Sequence, residues 1–157
     1  MKILFWAVGK GHDTYVKSGV EDFSKRINNY FKQEWELIAN IKDGANFSEA
    51  ELKKKEGSIL LNKLQKEDFL VVLDERGKQL SSGELAVFLQ TKANSGVKRI
   101  VFLIGGAYGV DPTVLERADF QWSLSKLVFP HQLVRLILAE QVYRACTILR
   151  NEKYHHT

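Results

Sequence analysis

Phe69-Leu70-Val71-Val72-Leu73 is the stretch of this 157-residue chain that decides its fold. All five side chains are apolar, whereas a strand with one solvated face alternates apolar and polar residues. An uninterrupted apolar run of this length is typical of a strand that is covered on both faces, as in the parallel sheets of α/β proteins. The stretch therefore predicts a parallel sheet with helices on both sides.

The rest of the chain repeats this pattern of strand followed by helix. Two further apolar runs, Ile3 to Val8 and Arg99 to Ile104, predict buried strands, and alternating residues at 35–41 and 120–124 predict two more. Apolar residues at helical spacing lie between them, in residues 15–30, 48–64, 81–89 and 132–150. No linker, repeat or low-complexity segment interrupts the alternation. We therefore expect residues 1–157 to form one α/β domain with a mainly parallel sheet flanked by helices.

Polar residues mark the expected starts of three helices. Ser48 with Glu51, and Ser81 with Glu84, have the spacing of a capping box, in which a hydroxyl and a carboxylate each accept from a backbone N–H. Asp111-Pro112 places an N-cap residue before a proline at the first helical position. Residues 43–47 are polar and contain glycine, so we expect a surface loop prone to disorder there.

Composition excludes several classes of protein. Hydrophobic residues make up 45% of the chain and charged residues 27%, which is typical of a globular protein and not of a disordered one. Cys146 is the only cysteine, so neither an intrachain disulfide nor a cysteine-cluster metal site is expected. No apolar run approaches the roughly 20 residues of a membrane span, and no signal peptide is evident. We therefore expect a cytoplasmic protein without a metal.

The net charge of +4 and the isoelectric point of about 9.1 permit a polyanionic partner such as RNA but do not require one. Lys53-Lys54-Lys55 could contact phosphate, although a solvated helix face is the favoured explanation.

Three loops are candidates for ligand binding, because open parallel sheets bind ligands beyond the carboxyl ends of their strands. The first loop follows Leu73, the second is Gly105-Gly106-Ala107-Tyr108-Gly109, and the third spans residues 123–130. The glycines allow backbone to approach a ligand closely. Their spacing is not Gly-x-Gly-x-x-Gly, which disfavours a nicotinamide-dependent oxidoreductase. A loop whose glycines serve only tight turns stays an alternative.

The segment before the last helix is apolar and stiffened by Pro130, which fixes its own φ and favours an extended Phe129. Such a loop could wall a pocket for a flat aromatic ring, or it could pack in the core. His131 could contact an anion or cap the following helix.

The last helix, predicted from about Gln132 to Arg150, is apolar over most of its circumference. One sheet face covers only one stripe of a helix, so we expect a second copy of the chain to cover the remainder, as a homodimer. Arg135 is a candidate contact to phosphate or ribosomal RNA. Glu140 and Arg144 lie four residues apart and can pair, which leaves pairing and a functional role both open for Arg144.

The tail after this helix is polar and contains one aromatic ring and two imidazoles, Tyr154, His155 and His156. Such tails often fray, and a terminal His-His pair can be a tag remnant. A tyrosine can also stack on a base, and a histidine can move a proton near neutral pH.

Several short motifs occur in a characteristic order along the whole chain. They are Ala7-Val8-Gly9-Lys10, Lys55-Glu56-Gly57, Leu73-Asp74 with Gly77-Lys78, Leu103-Ile104-Gly105-Gly106 with Gly109, Ser123-Leu124-Ser125, Pro130-His131 with Val134-Arg135, Glu140-Gln141-Val142-Tyr143-Arg144-Ala145, and Tyr154-His155. With this series the chain closely resembles the RlmH family of ribosomal RNA large-subunit pseudouridine-N3 methyltransferases.

That resemblance implies a SPOUT-type α/β fold with a C-terminal trefoil knot, an obligate homodimer and S-adenosylmethionine as the cofactor. Knotted chains are rare among folds, so periodicity alone would not have suggested one. The resemblance places the cofactor at Leu73, Gly105, Leu124, Ser125, Lys126, Leu127, Val128 and Phe129. The family varies at the position of Lys126, so we expect its backbone and not its side chain to contribute.

The resemblance also implies the substrate, a pseudouridine of 23S rRNA within the assembled ribosome, methylated at N3. The N3–H must lose its proton, which requires a base or a group that stabilises the deprotonated ring. Candidate catalytic residues are His131, Tyr154 and His155 for proton transfer, and Arg135 and Arg144 for charge stabilisation or phosphate contact.

We further expect the tail of one subunit to close over the cofactor pocket of the other. The principal alternative is a non-catalytic ribosome- or RNA-binding module of the same fold.

Overall fold

The computed structural model describes residues 1–156. In chain order its elements are β1 (Lys2–Val8), α1 (Thr14–Ile27), β2 (Lys32–Ile38), a 3₁₀ helix (Gly44–Asn46), α2 (Glu49–Lys63), β3 (Phe69–Gln79), α3 (Ser82–Asn94), β4 (Arg99–Ile104), α4 (Pro112–Arg117), β5 (Phe120–Ser123) and α5 (His131–Leu149). The strands form one sheet in the order β2-β1-β4-β3-β5, and each neighbouring pair is parallel. The predicted parallel α/β class is confirmed.

The sheet is buried on both faces because its inner strands carry apolar side chains at successive positions. Phe5 and Phe102 lie in a core that also contains residues of α1, α3 and α5. Leu4 and Val101, their neighbours along the strands, lie in a second core with residues of α2 and α4. The predicted burial of Phe69 to Leu73 on both faces holds for its three central residues, which are fully buried.

Two of the three predicted helix starts have the full set of capping interactions that the sequence predicted. The Ser81 hydroxyl accepts from Glu84 N at 3.1 Å, and the Glu84 carboxylate accepts from Ser81 N at 2.7 Å, which is a full capping box at α3. Asp111 caps α4 with a proline behind it. At α2, Ser48 accepts from Glu51 N at 3.2 Å, but within residues 1–156 the Glu51 carboxylate does not return the bond.

Two boundaries differ from the prediction for reasons of strand pairing, and one predicted loop contains a short helix. β2 begins and ends three residues earlier because it pairs in register with β1, from Lys2 opposite Lys32 to Val8 opposite Ile38. The predicted loop at 74–78 instead continues β3, which bulges so that both Leu73 and Lys78 pair with Trp122. The loop at 43–47 contains the 3₁₀ helix.

Other helices of the same chain pack against the apolar surface of α5 that the sheet does not cover. α1 and α3 both pack against α5, so the sheet is not its only neighbour. Gly19 of α1 makes the approach close, since a Cβ there would lie 2.6 Å from Leu136 Cδ1. The expectation that only a second copy could cover this helix was therefore wrong in its reasoning. The homodimer and the knot stay predictions.

Candidate functional site

A cavity of about 680 Å³ lies at the edge of the sheet where β4 and β5 end and β3 bulges. Leu73 pairs with both Ile104 and Trp122, so the bulged part of β3 and the loops that leave β4 and β5 start side by side. The volume falls within the roughly 300–1,000 Å³ typical of small-molecule sites. The three segments that the sequence indicated thus line one cavity, although the first of them continues β3 and is not a loop.

The structure brings together most of the residues that the resemblance assigned to the cofactor. Those that line the cavity are Leu73, Gly105, Leu124, Ser125, Leu127, Val128 and Phe129. Lys126 is exposed and does not line it. His131 and Val134, in the first turn of α5, complete one wall.

The glycine-rich loop favours glycine at two positions, at Gly105 for lack of room and at Gly109 for its backbone conformation. A Cβ on Gly105 would lie 2.6 Å from Val110 Cγ1 and 3.2 Å from the carbonyl carbon of Gly109. Gly109 itself has a φ of +84°, which favours glycine. These glycines therefore serve a tight turn, and the turn presents its backbone to the cavity.

The loop before α5 forms a wall of the cavity, and Leu124 at its start also packs against the core. Its backbone is held by a serine turn, in which the Ser125 hydroxyl accepts from Leu127 N at 3.0 Å and the Ser123 hydroxyl donates to Ser125 O at 3.0 Å. Leu127 and Val128 remain 71% and 84% exposed. Large apolar side chains are thus left on the rim of the cavity.

An ionised pair that sequence reasoning did not single out also lines the cavity. Arg76 donates from its backbone N, Nε and Nη2 to Asp74 at 2.8, 3.1 and 3.1 Å. The side-chain hydrogen bond from Arg76 lowers the pKa of Asp74, so the carboxylate is ionised at neutral pH. The sequence had indicated the segment after Leu73 as a ligand-binding loop. It did not indicate which of the charged residues in that segment would form an ion pair at the cavity.

Arg135 does not lie at the surface, where the sequence analysis expected it to contact phosphate or RNA. It is fully buried, so in this structure it contacts no external phosphate. Its Nη2 lies 3.1 Å from His131 Nε2, and its Nη1 lies 3.2 Å from His12 Nδ1. His131 therefore does not cap α5, whose N-cap residue is Pro130. His12 was missed because nothing in the sequence links it to a residue 123 positions later.

Both imidazoles of this cluster favour the neutral form. Burial lowers the pKa of His131, and the positive charge of Arg135 lowers it further. The same two causes, in the same order, lower the pKa of His12.

The remaining candidate residues form a separate group around Glu140, here called the tail cluster: Glu140, Arg144, Tyr154 and His155. Arg144 pairs with Glu140 at 2.6 Å, which confirms the predicted pairing. Tyr154 donates to Glu140 at 3.0 Å, and Arg144 Nη1 lies 3.2 Å from His155 Nδ1. Burial and the bond to Glu140 raise the pKa of Tyr154, so its phenol stays protonated at neutral pH. The tail is therefore anchored and not frayed at these positions.

The tail cluster does not line the cavity of its own chain. His131 at the cavity and Arg144 in the tail cluster lie 13 residues apart on α5. At 1.5 Å per residue that separation is about 20 Å. The predicted catalytic residues thus fall into two groups within one chain.

Residues 1–156 contain no group of three or more histidine, cysteine or acidic side chains arranged to hold a metal ion. None of the helices in this part of the chain is both long and apolar enough to cross a membrane. Cys146 is buried in α5, and burial raises the pKa of its thiol to about 12.

The fold and the cavity define an α/β protein with a cavity of small-molecule size at the carboxyl edge of a parallel sheet. Comparison with known families makes this class specific. Residues 1–155 match the family described as "Predicted SPOUT methyltransferase", and the chain belongs to that family. The match removes support for the nicotinamide-dependent alternative.

Similar proteins are known from several bacteria under the name "Ribosomal RNA large subunit methyltransferase H". The chain is 44% identical to the one from Christiangramia forsetii, 46% to that from Flavobacterium johnsoniae and 44% to that from Parabacteroides distasonis. Each similarity extends over 156 residues and covers 99% of both chains. The resemblance found from the motifs is confirmed.

Proposed function

We propose that this chain transfers a methyl group from S-adenosylmethionine to N3 of a pseudouridine in 23S rRNA, within the assembled ribosome. The observation that carries the proposal is the cavity, because one small-molecule site collects nearly all the residues that the family resemblance assigns to the cofactor. The names and full-length similarity of the relatives support the rRNA substrate. A cytoplasmic location follows from that substrate.

The cavity suits S-adenosylmethionine in size and in chemistry. Its volume of about 680 Å³ accommodates a nucleoside joined to an amino acid. Leu124, Leu127 and Phe129 provide apolar surface for a flat base, and the backbone of the Gly105 turn provides hydrogen-bonding groups. When bound, the cofactor supplies a methyl group already activated by a positively charged sulfur.

The residues of the chain then have two tasks. They must hold N3 in line with the methyl group and exclude water, for which orientation alone is worth several orders of magnitude in rate. They must also favour the deprotonated ring, which is negatively charged. His131 lines the cavity, whereas Tyr154, His155 and the positive charge of Arg144 lie in the tail cluster.

A second copy of the chain would bring both groups to one site. No residue of the tail cluster lines the cavity of its own chain, and the exposed Leu127 and Val128 offer an apolar rim for a partner to cover. We therefore propose a homodimer in which the tail of one subunit closes over the cavity of the other.

Replacement of Tyr154 by alanine tests the role of the tail. We expect turnover to fall about 100-fold, in the range for loss of a group that acts on the reacting ring, while cofactor affinity changes little. Calorimetry with S-adenosylmethionine and single-turnover methylation of purified ribosomes measure the two effects separately. Unchanged methylation would contradict a functional tail.

The activity itself is tested by incubating purified ribosomes with the protein and isotopically labelled S-adenosylmethionine. Mass spectrometry of rRNA nucleosides should show one labelled methyl group on a pseudouridine, with much less on the naked transcript. Absence of label on ribosomes would contradict the proposal. If the protein also failed to bind the cofactor, the non-catalytic binding module would be favoured.

A further inference from the structure

Arg135 is fully buried, yet within residues 1–156 it has no carboxylate partner. Its terminal nitrogens instead contact two imidazoles, at His12 Nδ1 and His131 Nε2. A guanidinium is always charged and every N–H of it is a donor. Both contacted imidazole nitrogens must therefore be acceptors, without a proton of their own.

This contact fixes the tautomer of each ring. A neutral imidazole that accepts at one nitrogen carries its proton on the other. His131 therefore carries its proton on Nδ1, and His12 carries its proton on Nε2. Within residues 1–156, His131 Nδ1 has no hydrogen-bond partner. Because His131 lines the cavity, Nδ1–H is the group that it can offer to a bound molecule.

The cluster is held in place from the β1–α1 loop. Gln132, next to His131, accepts from Asp13 N at 2.9 Å and donates to Gly11 O at 3.3 Å. Gly9 has a φ of +135°, and a Cβ there would lie 3.4 Å from Arg135 Nη2. The loop that carries His12 is thus tied to the first turn of α5.

Among residues 1–156, Arg135 is the one charged group at hydrogen-bond distance from these two rings. Asp13 is the carboxylate that most affects Arg135, and it pairs with Lys10 at 3.3 Å. Lys17 and Glu21 of α1 act on His12 with opposite signs. The charged residues on the cavity side are Glu49, Asp74, Glu75 and Arg76.

We propose that Arg135 is a positioning residue that holds His131 as a neutral Nδ1–H donor facing the cavity. His131 then is not the base that takes the proton from the substrate. It donates a hydrogen bond to a carbonyl oxygen of the deprotonated pyrimidine ring, where the negative charge is spread. The tautomer is a property of the protein alone, whereas this catalytic role rests on the proposed function.

The tautomer is measured on the protein without substrate. In a long-range proton–nitrogen NMR spectrum of protein labelled with ¹⁵N at histidine, we expect His131 to carry its proton on Nδ1 and His12 on Nε2. Both rings should remain neutral at pH 6.5, the ordinary pKa of histidine, since burial and Arg135 lower their pKa. The opposite tautomers, or doubly protonated rings, would overturn the inference. The wild-type spectrum decides this even if variants of Arg135 do not fold.

Substitutions of His131 separate a donor from a base. Asparagine places an amide N–H near the position of Nδ1, whereas glutamine places its amide near Nε2. We expect His131→Asn to keep turnover within about ten-fold of wild type, and His131→Gln and His131→Ala to lose about 100-fold, as when a preorganised donor is removed. If His131→Asn were as slow as His131→Ala, the donor role would be wrong.

Substitution of Arg135 supplies a readout that a purely structural role would not give. In Arg135→Gln both imidazoles lose the nearby charge while they stay buried, so their pKa should rise and the protonation step in turnover should move to higher pH than in wild type. Leu138→Ala, which removes a buried side chain from the same helix, is the matched control and should not change the pH profile. An unchanged pH profile in a folded Arg135→Gln protein would contradict the inference. If wild type methylates nothing, the proposed function fails while the NMR result still stands.

Discussion

Gly105 is the residue where the cavity is least tolerant of change. An added Cβ would lie 2.6 Å from Val110 Cγ1, and the nearby backbone of Gly109 limits how far the loop can shift. We expect Gly105→Ala to weaken S-adenosylmethionine binding by about ten-fold or more, the equivalent of one interaction of about 1.4 kcal/mol. Calorimetry measures the affinity.

Gly83→Ala provides the matched control for Gly105→Ala. It lies in the first turn of α3, where a Cβ would meet only Ser81 Oγ at 3.9 Å, an ordinary contact distance. Equal affinities for wild type and Gly105→Ala would show that this turn does not shape the cofactor site.

Cys146 gives a prediction about stability at high pH. Burial raises the pKa of its thiol from 9.0 to about 12, so above pH 9 the unfolded chain releases a proton that the folded chain keeps. The free energy of unfolding should therefore fall with rising pH between 9 and 12, by up to about 1.4 kcal/mol per pH unit from this group. Urea unfolding of wild type and Cys146→Ala compares the two slopes. Parallel slopes would contradict a buried, protonated thiol.

Among the elements, α3 has the most complete cap. Ser81→Ala removes the acceptor of the 3.1 Å bond from Glu84 N, and we expect the free energy of unfolding to fall by about 1 kcal/mol. Ser58→Ala in α2 removes a hydroxyl that bonds only to the Lys54 carbonyl, and should change stability by less than about 0.5 kcal/mol. Urea midpoints measure both, and equal effects would argue against the capping box.

Among the strands and helices, the features that depend on neighbours in the chain could be predicted from the sequence, and those that depend on distant partners could not. Apolar runs such as Phe69 to Leu73 and polar starts such as Ser81 depend on neighbours in the chain, and these were predicted correctly. The continuation of β3 past Asp74 depends on β5, whose backbone lies so close that a Cβ on Gly77 would come within 2.6 Å of Gln121. Nothing local in residues 74–78 indicates that partner.

At the cavity, too, contacts between residues distant in the chain could not be predicted from the sequence. The loops that line the cavity could be predicted because parallel strands place their carboxyl ends at one edge. The family resemblance then supplied the residues within those loops. His12 and Arg135 could not be paired in advance, since their contact depends on how the β1–α1 loop meets α5. Arg135 consequently was expected at a surface, and it is fully buried.

For the whole molecule, the central claim is that one active site needs two chains, the cavity of one and the tail cluster of the other. The direct test co-expresses a Gly105→Ala chain and a Tyr154→Ala chain with different tags and purifies the mixed dimer. At a cofactor concentration below the wild-type dissociation constant, the Gly105→Ala chain alone should lose about ten-fold or more of the rate on ribosomes, and the Tyr154→Ala chain alone about 100-fold. The mixed dimer contains one intact cavity facing one intact tail, so it should recover about half of the wild-type rate, as twofold symmetry requires. A mixed dimer no more active than the two single variants would contradict the shared site.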